Sequence, residues 1–215
     1  SSDLGREHAL AKKLAESPQC EKLFIAPGNP GTAEVGENVA LSNSDFVEIA
    51  AFVLKEKIEM LVVGPEQPLV DGIRDYFESK EDLKNVKIIG PGKTGAILEG
   101  SKAFAKAFMK EFNIPTAGYD EITEDNLEEG MNIIDAKEGP IVLKADGLAA
   151  GKGVLILLDE KAAKHSLREM ISDQKFGEAS SKVVIEDFLD GIEFSVFALC
   201  DGKNYKLLPT AKDYK

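Results

Sequence analysis

Pro140-Ile-Val-Leu-Lys-Ala-Asp-Gly-Leu-Ala-Ala-Gly-Lys-Gly-Val-Leu-Ile-Leu-Leu158 carries the strongest structural signal in the chain. Two apolar runs flank a loop with three glycines, one acid and one lysine, and Lys144 closes the first run. The pattern predicts a β-hairpin with a mobile tip. Its glycines let backbone N–H groups approach an anion, and Lys144 and Lys152 add positive charge. A nucleotide polyphosphate is the expected anion; the alternative is a solvated tip with incidental glycines. The loop is not a P-loop. Gly147 and Gly151 stand too close, Gly153 replaces Ser or Thr, and an apolar run follows in place of a helix.

Downstream, Lys182-Val-Val-Ile-Glu-Asp-Phe-Leu189 reads as a strand, Asp190-Gly191 as a turn and Ile192-Glu-Phe-Ser-Val-Phe-Ala-Leu-Cys200 as a second strand. From the residues alone, Glu186 and Glu193 could be solvated strand charges. With the glycine hairpin, however, these segments resemble the ATP-grasp superfamily. That resemblance implies that Glu186, Asp187, Phe188 and Leu189 lie beside an adenine, held through their backbone, and that Glu193 meets the ribose.

Gly5-Arg-Glu-His-Ala-Leu10, Phe24-Ile-Ala-Pro-Gly-Asn-Pro-Gly-Thr32, Val63-Gly-Pro-Glu-Gln-Pro-Leu69, Leu98-Glu-Gly-Ser-Lys102, Leu143-Lys-Ala-Asp-Gly147 and Ala211-Lys-Asp-Tyr-Lys215 follow one another in this order. Together they resemble the glycinamide ribonucleotide synthetase (phosphoribosylamine–glycine ligase) family of purine biosynthesis, over nearly the whole chain. The resemblance implies an ATP-dependent ligase that joins glycine to phosphoribosylamine through a glycyl phosphate. Lys102 and Lys144 would be the catalytic cations on the ATP phosphates. Asp146, Gly147, Gly151, Lys152 and Gly153 would complete the nucleotide site. Gly28, Asn29, Gly31, Thr32, Gly64, Pro65 and Glu66 would form the phosphoribosylamine pocket, where N–H groups and the Asn29 and Thr32 side chains suit a sugar phosphate. Asp213 and Lys215 would approach the substrates, unless they simply fray.

The same resemblance implies ATP with Mg²⁺ or Mn²⁺, whose ligands are expected beyond this chain; no residue present is expected to bind metal. The family opens with an apolar strand and a glycine-rich turn, whereas this sequence opens Ser1-Ser-Asp-Leu4. The expectation is therefore an N-terminal half lacking the first strand. A non-catalytic nucleotide-binding fragment and another ATP-grasp purine-pathway ligase stand as alternatives.

Composition narrows the partners. The net charge of −12 over 215 residues disfavours nucleic acid and anionic membrane, which clustered Lys and Arg would meet. No apolar run reaches membrane-spanning length, about 20 residues. Cys20 and Cys200 are far apart and lack metal-like spacing; reduced thiols in a cytoplasmic setting are the expectation, with a disulfide as the alternative. Small-molecule substrates are the expected partners, with the protein a monomer or weak dimer.

Periodicity divides the chain. Helices are expected at 6–17, 46–54 (capped by Asp45) and 69–77, and strands at 22–26, 58–63 and 86–89. This alternation predicts a Rossmann-like, doubly wound α/β domain with a parallel sheet, binding ligands beyond the strand ends. Gly90-Pro-Gly-Lys-Thr-Gly95 matches a dinucleotide fingerprint but lacks the acid-tipped strand that should follow. Ser101 is expected to cap a helix over 102–112, which Asn113-Ile-Pro115 ends. Composition places a boundary near Pro115, an α+β unit with helices at 124–137 and 160–171, and a return to the core after Asp190. The resemblance implies domains at 1–115, an α+β lid at 116–190 and the start of an ATP-grasp core at 191–215.

Overall fold

The computed structural model describes residues 2–149 and 152–212. Helix α1 (Ser2–Ala15) begins earlier than its apolar pattern suggests and stops short of Pro18. Strands β1 (Phe24–Ile25) and β2 (Glu37–Asn38) pair in parallel. Helix α2 (Phe46–Lys55) starts as expected: the Asp45 carboxylate accepts from the Glu48 N–H at 2.9 Å. It buries Ile49, Ala50 and Val53, the face that its spacing predicts. Strand β3 (Met60–Val62) follows, then the short helices α3 (Glu66–Asp71) and α4 (Ile73–Glu78), and β4 (Lys87–Ile89), which pairs in parallel with β3.

The single helix expected at 69–77 is broken at Gly72, whose φ of +96° cannot continue a right-handed helix. The core here joins Ile49, Val53, Ile73, Phe77 and Leu83. Alternating elements and parallel pairing give the doubly wound α/β organisation. Among the described residues, the β1–β2 and β3–β4 pairs are not hydrogen-bonded into one sheet.

Helix α5 (Lys93–Gly100) grows out of the Gly90–Gly95 fingerprint. The Asp75 carboxylate already accepts from the Lys93 N–H at 2.7 Å, so a protein acid fills the place a phosphate would take. Helix α6 (Lys102–Glu111) is capped by Ser101, whose hydroxyl accepts from the Phe104 N–H at 3.1 Å.

The second half is built on one four-stranded antiparallel sheet. Its elements are β5 (Tyr119–Ile122), α7 (Leu127–Ala136), β6 (Ile141–Ala145), β7 (Val154–Leu157), α8 (Glu160–Ile171) and β8 (Val183–Asp187). The strand order is β5-β8-β6-β7. The glycine hairpin forms as expected, with Lys144 opposite Val154. Side chains alternate across a sheet. Ile141, Leu143, Ala145, Val183 and Ile185 therefore pack under α7 and α8 with Ile134, Leu167 and Met170. Each fully buried Leu, Ile or Met contributes about 1.5–3 kcal/mol. The same alternation sends Val142, Lys144, Val184 and Glu186 to the other face.

The strand expected at 192–200 is split. Strand β9 (Phe194–Ser195) pairs with β12 (Ala211–Lys212), and β10 (Ala198–Cys200) with β11 (Tyr205–Leu207). Strand β8 does not continue into a hairpin with β9; it is held between β5 and β6.

Candidate functional site

The face turned away from α7 and α8 carries charge. Lys144 Nζ donates to Glu186 Oε2 at 2.8 Å. Lys106, from α6, lies 3.4 Å from the same oxygen. Lys106 also donates to Thr116 Oγ1 at 2.8 Å and to the Ala117 carbonyl at 3.1 Å. Lys106 and Glu186 are each only 5% exposed, whereas the Lys144 side chain keeps 29% of its surface in solvent. A buried carboxylate is tolerated when paired and hydrogen-bonded, and here two cations share it. Solvated strand charge is therefore excluded for Glu186. Lys106 escaped the sequence reading, although its position four residues after Lys102 puts both lysines on one helical face.

Asp146 ties the hairpin to α6. Its carboxylate accepts from the Ala103 N–H at 2.7 Å and from the Ser101 hydroxyl at 3.1 Å, and its carbonyl accepts from the Lys102 N–H at 3.1 Å. Its own N–H donates to the carbonyls of Ala179 and Lys182, both at 3.0 Å. Lys102 is thereby brought beside Lys144. Its ammonium donates to the Gly147 carbonyl at 3.1 Å. Burial pushes the Lys102 pKa below its ordinary value; Asp146 and Glu99 oppose this, and the positive charge of Lys144 adds to it.

The hairpin glycines are tightly placed. A Cβ on Gly147 would lie 2.9 Å from the Ala179 Cβ, and one on Gly153 would lie 2.7 Å from the Ala149 Cβ. Lys152 is exposed. Gly151 lies outside the described residues, as do Asp213 and Lys215.

Beyond the charged cluster, Asp187 pairs with Lys137 and its N–H donates to the Gly118 carbonyl at 2.9 Å. Phe188 and Leu189 follow it, exposed. Lys137, Glu138, Pro140, Asp187 and Phe188 line a shallow depression of about 240 Å³. Glu193 is exposed just before β9.

The 27–32 loop is self-organised. Asn29 Oδ1 accepts from the N–H groups of Gly31 and Thr32, at 2.9 and 3.1 Å. The Thr32 hydroxyl is fully buried, 2.7 Å from Asn38 Oδ1 and 2.9 Å from the Asn29 carbonyl. Gly28, at φ +77°, packs so closely on Asn38 that a Cβ would overlap it. These side chains build the loop, and the N–H groups of Asn29, Gly31 and Thr32 are spent within it. His8 of α1 packs against Gly31. Arg6 of α1 reaches Glu66 at 3.1 Å, next to Pro65 and the open space beside Gly64. The fold thus brings α1 to both loops. Among the described residues, no group of three or more His, Cys, Asp or Glu could hold a metal ion.

Two family models match the chain: the N domain of phosphoribosylglycinamide synthetase over residues 3–99, and its ATP-grasp (A) domain over residues 100–215. The phosphoribosylamine–glycine ligase of Pasteurella multocida is 49% identical over 213 residues, covering 98% of this chain and 48% of that protein. The crystal structure of the Thermotoga maritima phosphoribosylamine–glycine ligase superposes with a TM-score of 0.73 at 34% identity, covering 96% of this chain and 47% of that one. The biotin carboxylase domain of the Hydrogenobacter thermophilus 2-oxoglutarate carboxylase, solved with MgADP, reaches a TM-score of 0.69 at 19% identity, over 96% of this chain and 48% of its own; that likeness is one of fold. The chain spans about half the length of the curated relatives it matches. With both family models covering residues 3–215 in succession, the chain belongs to the phosphoribosylglycinamide synthetase family.

Proposed function

We propose that the protein containing this chain joins glycine to 5-phosphoribosylamine at the expense of ATP, and that Lys102 and Lys144 hold the ATP phosphates. The observation that carries the reading is the cationic cluster at the root of the glycine hairpin. There a solvent-reachable Lys144 and a half-buried Lys102 stand together, with the Lys102 ammonium on the Gly147 carbonyl. A polyphosphate is the ligand such a cluster fits. The adenine would lie against residues 186–189 and the ribose near Glu193. Residues 1–115 would form the substrate-side domain, 116–190 the lid, and 191–215 the start of the ATP-grasp core. The loops at Gly28–Thr32 and Gly64–Glu66 would take the sugar phosphate, with Glu66 at the ribose hydroxyls.

Amide formation from a carboxylate and an amine is uphill in water. Phosphorylating the glycine carboxylate activates it; the amine of phosphoribosylamine then attacks and phosphate leaves. Phosphoryl transfer asks the protein for positioning and charge neutralisation rather than covalent help. Lys102 and Lys144 supply both. The acyl phosphate must be kept from water while the amine attacks. A divalent metal is proposed as the partner of ATP in the whole protein, with no ligand assigned among the residues here.

The test is ADP release with Mg-ATP, glycine and phosphoribosylamine, omitting each in turn. Release that needs all three supports the ligase. Nucleotide binding without release by this chain supports a nucleotide-binding portion whose turnover needs more of the protein. Absence of both nucleotide binding and release would contradict the reading.

A further inference from the structure

Lys106 is the one ammonium of this cluster that the sequence did not announce, and its surroundings set it apart. It is buried, fixed by Thr116 Oγ1 and the Ala117 carbonyl, and 3.4 Å from the Glu186 oxygen that also accepts from Lys144. Its ring neighbour is Tyr119, 5.5 Å away, on the strand opposite Glu186. It has little open surface from which to touch a ligand. Glu186 alone would cancel the charge of Lys144. With Lys106 present, the triad of one carboxylate and two ammonium groups keeps one net positive charge, and the exposed member is Lys144.

We propose that Lys106 is a positioning residue for polyphosphate binding. It neutralises Glu186 from the buried side, so that Lys144 stays both anchored and cationic toward the ligand. This rests on the nucleotide reading above and extends it to a residue that never meets the nucleotide.

The test uses Lys106→Gln, which retains a donor for Thr116 and Ala117 but loses the charge. Lys106→Gln/Glu186→Gln removes both charges. ADP and adenosine affinities are read by calorimetry, with Tm as the folding control. Lys106→Gln is expected to weaken ADP about tenfold while changing adenosine little, on the scale of one charge-assisted contact. The double variant is expected to recover ADP binding, because Lys144 is again uncancelled. Equal losses for ADP and adenosine, or no recovery in the double variant, would overturn the proposal and mark Lys106 as merely structural. If Lys106→Gln does not fold, Glu186→Gln is compared with the double variant. Agreement within about threefold is expected, and a tenfold gap overturns the proposal. Absence of ADP binding by the unsubstituted chain overturns the nucleotide reading, and this inference with it.

Discussion

Lys144 and Glu186 meet diagonally across the β6–β8 ladder. In register, Val142 faces Glu186 and Lys144 faces Val184, yet the Lys144 ammonium reaches Glu186 Oε2 at 2.8 Å. Antiparallel pairing puts diagonal neighbours within reach of long side chains. The two residues lie 42 positions apart in the chain. They become neighbours only because β8 inserts between β5 and β6.

Lys144→Ala should weaken ADP and ATP binding by about ten- to a hundredfold, the value of a charged hydrogen bond. Adenosine, which lacks phosphates, should bind almost unchanged. Isothermal titration with both ligands checks this, and equal affinities of variant and parent for ADP would remove Lys144 from the site.

Lys102 gives the binding a pH dependence with a defined sign. Burial holds its pKa below the ordinary 10.5. Only the protonated form attracts phosphate, so affinity is full below the lowered pKa and falls as pH rises through it. The alkaline fall should therefore begin earlier than for an ordinary lysine. Folding runs the other way. The unfolded chain binds the proton more tightly, so between the lowered value and 10.5 the Lys102 contribution to stability rises with pH. Lys102→Arg should abolish the affinity limb, because arginine keeps its proton. Affinities measured from pH 7 to 10 decide it.

Asp146→Ala should cost about 1–2 kcal/mol of stability, since α6 loses an acceptor that serves the Ala103 N–H and the Ser101 hydroxyl. Urea unfolding reads this directly. An unchanged midpoint would mean that the clamp between hairpin and helix contributes nothing.

Gly153→Ala should destabilise the hairpin by about 1–3 kcal/mol through overpacking. The new Cβ would meet the Ala149 Cβ at 2.7 Å and the Ala145 Cβ at 3.2 Å. Gly139→Ala, where no atom lies within 4 Å, is the contrasting variant. Its cost should come from the backbone alone, as its φ is +87°. Paired denaturation curves, with ADP present and absent, separate packing from binding.

What the sequence disclosed was local. The Asp45 and Ser101 caps, the helix over Glu160–Ile171 and the glycine hairpin each depend on residues within a few positions of one another. Lys144 was readable because a lysine ending an apolar run calls for an anion. Lys106 was not, because its acid comes from a strand 80 positions on, and its place four residues after Lys102 does not name that acid. The strand at 192–200 misled for the same reason. Its apolar run looks continuous, but its two pieces pair with different partners, Ala211–Lys212 and Tyr205–Leu207. Asn29 and Thr32 looked like ligand side chains, yet their polar atoms close the loop on itself.

The proposed site stands or falls with a polyphosphate on Lys102 and Lys144 at the root of the hairpin. Titration of Mg-ADP into isotope-labelled protein, followed by NMR of the amides and lysine ammonium groups, tests it most directly. Shifts are expected at Lys102, Lys144, Gly147 and residues 186–189, with the lysine shifts absent when adenosine replaces ADP. Shifts centred instead on the Gly90–Gly95 loop, or lysine shifts that adenosine reproduces, would contradict it.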